Sequence, residues 1–245
     1  MVTTLFIFIL VALIAEIVGT IGGFGSSIFF IPIAGLFYNF ETVLAITAIL
    51  HIFSNSAKLY LFRKQIDYKL LVWLGLPSLI MVIAGAELTA HVNFRYLSLI
   101  LGIFIVGFSL LFLFFPELKL SRNKTITVSA GSFAGFFAGL VGTGGAIRGL
   151  SLAAFDLSKE CFVATSAAID FGVDLSRGII YLKNDFLERQ YFYLIPILFA
   201  IALVGSYLGK LCLQRIKKEY FKRMVLVFLL LIGCVEIVKW AAENN

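Results

Sequence analysis

Charge is scarce in these 245 residues: 14% are Asp, Glu, Lys or Arg, 61% are hydrophobic, and the mean hydropathy is +1.02. Soluble domains use roughly 45–50% apolar residues, so a soluble globular chain is excluded, and too little polar sequence remains for a separate soluble domain. Cysteine is sparse as well. Cys161, Cys212 and Cys234 form no CxxC pair and no Cys/His spacing, which leaves neither a zinc site nor a disulfide framework. No Walker loop, HExxH or GxSxG occurs, and His51 and His91 stand far apart, so nothing points to a nucleotide-driven pump, a cofactor or an intramembrane enzyme. The net charge of +6 is not a nucleic-acid signature, because the Lys and Arg fall in short gaps between apolar runs instead of along one face. No Lys or Arg precedes Lys58, so the run MVTTLFIFILVALIAEIVG lacks the positive region of a cleaved signal peptide. It is expected to stay as the first helix.

What the chain has is apolar runs, enough for seven or eight segments at the roughly 20 residues a transmembrane helix needs. Cutting at Gly, Pro and charge clusters gives segments 3–21, 26–38, 41–62, 69–90 and 95–115, then 124–141, 146–156, 160–182, 189–212 and 219–240. Segments 26–38 and 146–156 are too short to cross about 30 Å at 1.5 Å per residue. Each follows a glycine cluster, IGGFGSS at 21–27 and VGTGGA at 141–146, and reads as a half-helix entered through a break.

An offset of 119 residues lays the second half on the first without a gap. It pairs Gly23 with Gly142, Gly25 with Gly144, Glu41 with Glu160, Asn55 with Asp174, Lys58 with Arg177 and Pro77 with Pro196. Coincident Gly, Pro and polar residues carry weight that apolar matches lack in so biased a composition, and they indicate a duplication into repeats 1–118 and 119–245. If each repeat is a glycine-broken hairpin plus three full helices, one side of the membrane collects 13 Lys and Arg and the other four. Were the break a single crossing, the sides would hold nine and eight. The positive-inside rule favours the uneven split. The expected fold is therefore an all-α, multi-pass protein of the inner (cell) membrane: two inverted repeats, about eight long and two short helices, both termini extracytoplasmic.

Bare backbone at membrane depth is tolerated only where protein buries it or water reaches it, so two glycine breaks imply a cavity. A half-helix starting there presents unpaired N–H groups and a positive dipole end that favour an anion, and inverted repeats bring two such ends to one midplane site. The candidate binding residues are Gly23, Gly25, Ser26 and Ser27 with Gly142, Gly144, Gly145 and Ala146. Close helix packing is the competing reading of the glycines. A second signal follows each break: Thr47, His51, Asn55 and Lys58 are spaced by four, four and three, and Ser166, Asp170, Asp174 and Arg177 repeat those steps. Each set makes one helical stripe. Ionisable residues inside membrane helices usually face a bundle interior or water path, which makes Asn55, Lys58, Asp174 and Arg177 route-lining candidates. The alternatives are an internal Asp174–Arg177 pair and snorkelling of Lys58 and Arg177 to the interface. Arg148, three residues past the second break, needs an anionic partner: a bound oxyanion or one of Asp170, Asp174 and Glu16. Glu16, His51 and Asp170 are candidates for coupling.

The motif Gly23, Phe24, Gly25, Ser26, Ser27 and Pro32, repeated as Gly142, Thr143, Gly144, Gly145 and Ala146, resembles that of the sulfite exporter TauE/SafE family. The runs AITAILHIFSNSAKLYLFRKQID and ATSAAIDFGVDLSRGIIYLKNDF look like the family's small-residue helix after each motif. The resemblance covers nearly the whole chain. It implies a cofactor-free permease that moves sulfite, thiosulfate or organosulfonates, typically outward, with the anion and membrane lipid as partners; a homodimer is compatible with it. Ser26 and Ser27 replace usual glycines, Ser151 replaces a second proline, and Arg148, Asp170 and Asp174 add charge. These departures touch the substrate site. The alternative function is a cation or proton-coupled carrier of another small solute, with an intramembrane enzyme the weaker rival.

Overall fold

The computed structural model describes residues 2–23, 25–88, 95–115, 123–141, 144–155 and 157–242. Among them there is no strand, and ten helices follow one another. These are α1 (Val2–Gly22), α2 (Ser27–Ala34), α3 (Phe40–Phe62), α4 (Tyr68–Leu88), α5 (Arg95–Phe114), α6 (Lys124–Val141), α7 (Gly144–Ala154), α8 (Lys159–Lys183), α9 (Leu194–Arg215) and α10 (Lys218–Ala242). Among the described residues, Leu5–Gly22, Phe40–Gln65, Tyr68–Leu88 and Leu194–Arg215 are long and apolar enough to cross a membrane.

The helix starts follow from side chains that satisfy the first free N–H groups. Asn39 accepts from the Thr42 N–H at 2.9 Å, Asn123 from Ile126 at 2.8 Å and Ser158 from Cys161 at 3.2 Å. Asp67 does the same for Lys69 and Leu70 at the start of α4. At the other pole, Lys159 Nζ donates to the carbonyls of Leu213 and Ile216, both at 2.8 Å, and neutralises the negative end of α9. Two expected segments shorten. The one expected at 26–38 stops at Ala34, where Gly35 opens a turn and Asn39 is taken up as the cap of α3. The one expected at 189–212 begins at Leu194, because 189–191 make a separate tight turn whose Tyr191 packs edge-on against Tyr38.

Polarity is inverted relative to a soluble protein. Phe6, Ile80, Ile179 and Leu231 are exposed, whereas Glu16, Lys58, Arg148, Asp174 and Arg177 are buried. Such a surface suits hydrocarbon, and it leaves the polar groups to satisfy one another inside.

Contacts between helices fix their directions. α2 folds back along α1, since Ser26 meets Glu16 while Phe30 meets Phe8. α4 and α6 run parallel and almost backbone to backbone: a Cβ at Gly135 would come 2.2 Å from the Ser78 carbonyl oxygen, and Gly131 and Gly139 face Leu74 and Val82 in the same way. Small residues at four-residue spacing permit that approach. α1 and α9 are also parallel, with Gly205 opposite Glu16 and Gly209 opposite Thr20. So are α3 and α9, where Phe53 meets Phe199 and Leu61 meets Lys210. α3 and α8 are antiparallel: Ala48 lies by Gly178 and Asn55 by Asp174.

Candidate functional site

The two polar stripes meet where α3 and α8 cross. Asn55 Nδ2 donates to Asp174 Oδ2 at 2.8 Å, between residues that correspond at the 119-residue offset. Around this contact lie two clusters, one supplied mainly by each half of the chain.

The first centres on Glu16, which α1 carries to the turn before α2. Its Oε1 accepts from Thr20 at 3.1 Å and from Ser54, and it pairs with Lys58 Nζ at 2.9 Å; its Oε2 accepts from Ser26 at 2.7 Å. Ser206 on α9 approaches the same carboxylate at 3.5 Å. Gly205 makes the room, since a Cβ there would come 2.7 Å from Glu16 Cγ. A carboxylate with this many donors is fixed as a counterion.

The second centres on Arg148, in the second turn of α7 and fully buried. Its Nη2 donates to Asp170 Oδ1, its Nε to Ser166 Oγ at 3.3 Å, and Ser166 in turn to Asp170 Oδ2 at 3.2 Å. Arg148 Nη1 is buried with no hydrogen-bond partner among the described residues. An unsatisfied buried donor costs about 1–3 kcal/mol, more on a charged group. Beside this cluster, Arg177 Nη2 holds Asp174 Oδ1 at 2.6 Å.

His51 stands between the clusters. Its Nε2 is 3.0 Å from Ser26 Oγ; its Nδ1 is 3.5 Å from both Asp174 Oδ2 and Arg177 Nη2.

The spacing-based candidates thus divide. Gly23, Gly25, Ser26 and Ser27 lie buried at the turn into α2, and Gly145 and Ala146 are buried at the start of α7, whose first residue is Gly144. Gly142 lies outside the described residues. Gly23 and Gly25 have φ of +75° and +94°, a backbone conformation that favours glycine. A Cβ at Gly23 would also meet Phe162 at 2.7 Å, so here the packing reading and the turn reading both hold. Snorkelling does not: Lys58 and Arg177 are 3% and 2% exposed and each is paired inward. Thr47 turns away, its hydroxyl returning to the Val43 carbonyl. Thr20, Ser54 and Ser206 escaped the sequence reading. Thr20 is four residues from Glu16 and was recoverable from helical spacing; Ser206, a lone serine in an apolar helix, carried no signal.

A cavity of about 270 Å³ lies at the end of α3, its charged lining made of Arg63, Lys64, Lys210 and Glu160. It opens one turn beyond Lys58.

The sequence model of the family described as Sulfite exporter TauE/SafE matches residues 8–235. The chain belongs to the TauE/SafE family. No curated protein and no solved structure matches it. TauE/SafE is a family of membrane transporters and not of enzymes, and the apolar outer surface with its buried charge accords with that class.

Proposed function

We propose that this TauE/SafE member is a secondary exporter of a small sulfur-containing anion such as sulfite, thiosulfate or an organosulfonate across the cell membrane. The observation that carries this reading is Arg148. It is a fully buried cation near the start of a half-helix, one of whose guanidinium donors has no partner among the described residues, beside the positive end of the α7 dipole. A tetrahedral oxyanion offers that donor an acceptor and takes a further share of the guanidinium charge.

The proposed architecture is two inverted repeats, 1–118 and 119–245. Its support is the antiparallel course of α3 and α8, which correspond at the 119-residue offset. Repeats related by an axis along the membrane normal would run those two helices parallel. The parallel pairs α1 with α9 and α4 with α6 exchange under the same inversion. With the charge-rich side cytoplasmic, both termini are extracytoplasmic, and the cavity lined by Arg63, Lys64 and Lys210 opens to the cytoplasm. A basic mouth there gathers anions, which favours outward transport. A cation carrier built on Asp170 and Asp174 is disfavoured, since each carboxylate already holds an arginine.

Uptake of labelled sulfite, thiosulfate and methanesulfonate by proteoliposomes tests the reading. Saturable flux of at least one, competed by the others and absent with labelled sodium or amino-acid cations, is expected. Cation flux without anion flux would reverse it.

A further inference from the structure

Resting on the anion reading above, we propose that His51 is the proton-carrying residue of this transporter: it takes up one proton at Nδ1 for each monoanion bound and releases it when the anion leaves.

The direction of the hydrogen bonds fixes where that proton goes. The single hydroxyl proton of Ser26 is given to Glu16 Oε2 at 2.7 Å, so the contact of 3.0 Å between Ser26 Oγ and His51 Nε2 needs its proton from the ring. Neutral His51 is therefore protonated on Nε2 and bare on Nδ1. That bare lone pair faces Asp174 Oδ2 and Arg177 Nη2, both at 3.5 Å. Against the carboxylate the contact is unfavourable while Nδ1 is bare; a proton on Nδ1 converts it into a charge-assisted hydrogen bond. Arg177 gives up only its long contact to the ring, because Nη2 keeps Asp174 Oδ1 at 2.6 Å.

Charge gives the reason for the uptake. Among the described residues the buried Lys, Arg, Asp and Glu side chains are three cations, Lys58, Arg148 and Arg177, and three carboxylates, Glu16, Asp170 and Asp174. They cancel. A monoanion entering this set leaves one uncompensated negative charge in a medium where that is expensive, and of the side-chain types gathered here imidazole is the one whose unperturbed range includes neutral pH. Every charged group that faces it has a stated partner. From α1 and α2, Glu16 reaches the ring through Ser26 and is held by Lys58; on α8, Asp174 is held by Arg177, and Asp170, one turn away, is held by Arg148. The proton site also lies next to the proposed anion site, for Asp174, which faces His51 Nδ1, stands one helical turn from Asp170, the partner of Arg148. The proton enters from water on the side where the anion binds, raises the ring from neutral to +1, and returns to water from Nδ1 on release; because the pair is drawn toward the alkaline side, export runs down the anion's own outward gradient and the proton leaves with it. Only an N–H bond forms and breaks.

The test uses the full chain and methanesulfonate, whose charge does not change near neutral pH, so that any proton moved belongs to the protein. Methanesulfonate binding to purified protein is measured first, in weak buffer with a pH-indicating dye. The wild type is expected to take up about one proton per anion bound. In vesicles, an imposed difference of 1 pH unit is expected to drive about tenfold accumulation. His51→Gln keeps an N–H for Ser26 and cannot titrate; binding should then take up no proton, and accumulation should vanish. His51→Asn serves if the glutamine variant does not fold. Nitrogen NMR of histidine-labelled His91→Gln protein reads the remaining ring without altering it, and anion addition should protonate Nδ1. A wild type that binds and moves methanesulfonate without protons, a His51→Gln protein that retains tenfold accumulation, or a ring that stays neutral overturns the proton-carrying role and leaves the anion reading standing. A wild type that binds none of the anions overturns both, and the binding arm, run without any gradient, tells the two failures apart.

Discussion

In the first half of the chain the carboxylate stands on the long helix of the hairpin, Glu16 on α1, and its cation on the stripe, Lys58 on α3. In the second half a cation stands on the short helix, Arg148 on α7, and the carboxylates stand on the stripe with a second cation, Asp170, Asp174 and Arg177 on α8. The difference is enforced by packing. Gly135 occupies the position that corresponds to Glu16, and there α4 lies so close that even a Cβ would meet a carbonyl oxygen at 2.2 Å. No carboxylate fits, so the second half takes its negative charge from α8. Conversely, Phe29 corresponds to Arg148 and spends its ring on an edge contact with Phe228. One framework therefore carries two polar solutions. Glu16 is saturated with donors, whereas Arg148 Nη1 has no partner among the described residues. That asymmetry is the ground on which the anion site is proposed in the second half.

The comparison can be broken hardest at Glu16. Glu16→Ala leaves Lys58 buried without its partner and should cost about 3–5 kcal/mol, read as a lowered unfolding midpoint in lipid nanodiscs. The double change Glu16→Gln with Lys58→Met removes both charges and should recover most of that loss. Recovery would show that the pair serves to neutralise itself; a double variant as unstable as the single one would mean that Glu16 holds more than Lys58.

Next in size is the turn. Gly25→Val forces a branched side chain into φ +94° beside His51. Strain of about 1–3 kcal/mol is expected, with anion transport abolished while membrane insertion persists; labelled-anion flux with normal transport would remove the turn from the site. Gly144→Val, at the first residue of α7, should match it in flux. Smaller still, Asn55→Ala gives up one hydrogen bond to Asp174, a loss of about 1 kcal/mol in an unfolding titration. Least of all, Ser206→Ala removes contacts of 3.4–3.5 Å and should stay within about 0.5 kcal/mol. A larger effect would show that α9 is part of the site.

Much of this was legible before the structure. The glycine clusters marked the breaks because each stands directly before an apolar segment too short to cross the membrane, and the four-four-three spacing marked both stripes because helical periodicity is local. Asp174 with Arg177 was legible for the same reason, three residues apart on one helix. Glu16 with Lys58 was not: they are separated by a hairpin, and only the crossing of α1 and α3 joins them. Arg148 had three carboxylates open to it by sequence, and only the approach of α7 to α8 selects Asp170. His51 was legible as a residue of the stripe and a coupling candidate, but not its place between Ser26 and Asp174, which depends on two helices and a turn at once.

The central claim, that Arg148 binds the transported anion, is tested most directly by anion affinity in a variant whose charge stays balanced. Arg148→Gln alone strands Asp170, so the measurement is methanesulfonate and thiosulfate binding to Arg148→Gln/Asp170→Asn protein shown by its unfolding midpoint to be folded. Loss of a charge-assisted hydrogen bond of about 1.5–3 kcal/mol predicts affinity roughly ten- to hundredfold below the parent. Affinity equal to the parent in that folded double variant would contradict the claim and leave the backbone of the two glycine turns as the anion-binding element.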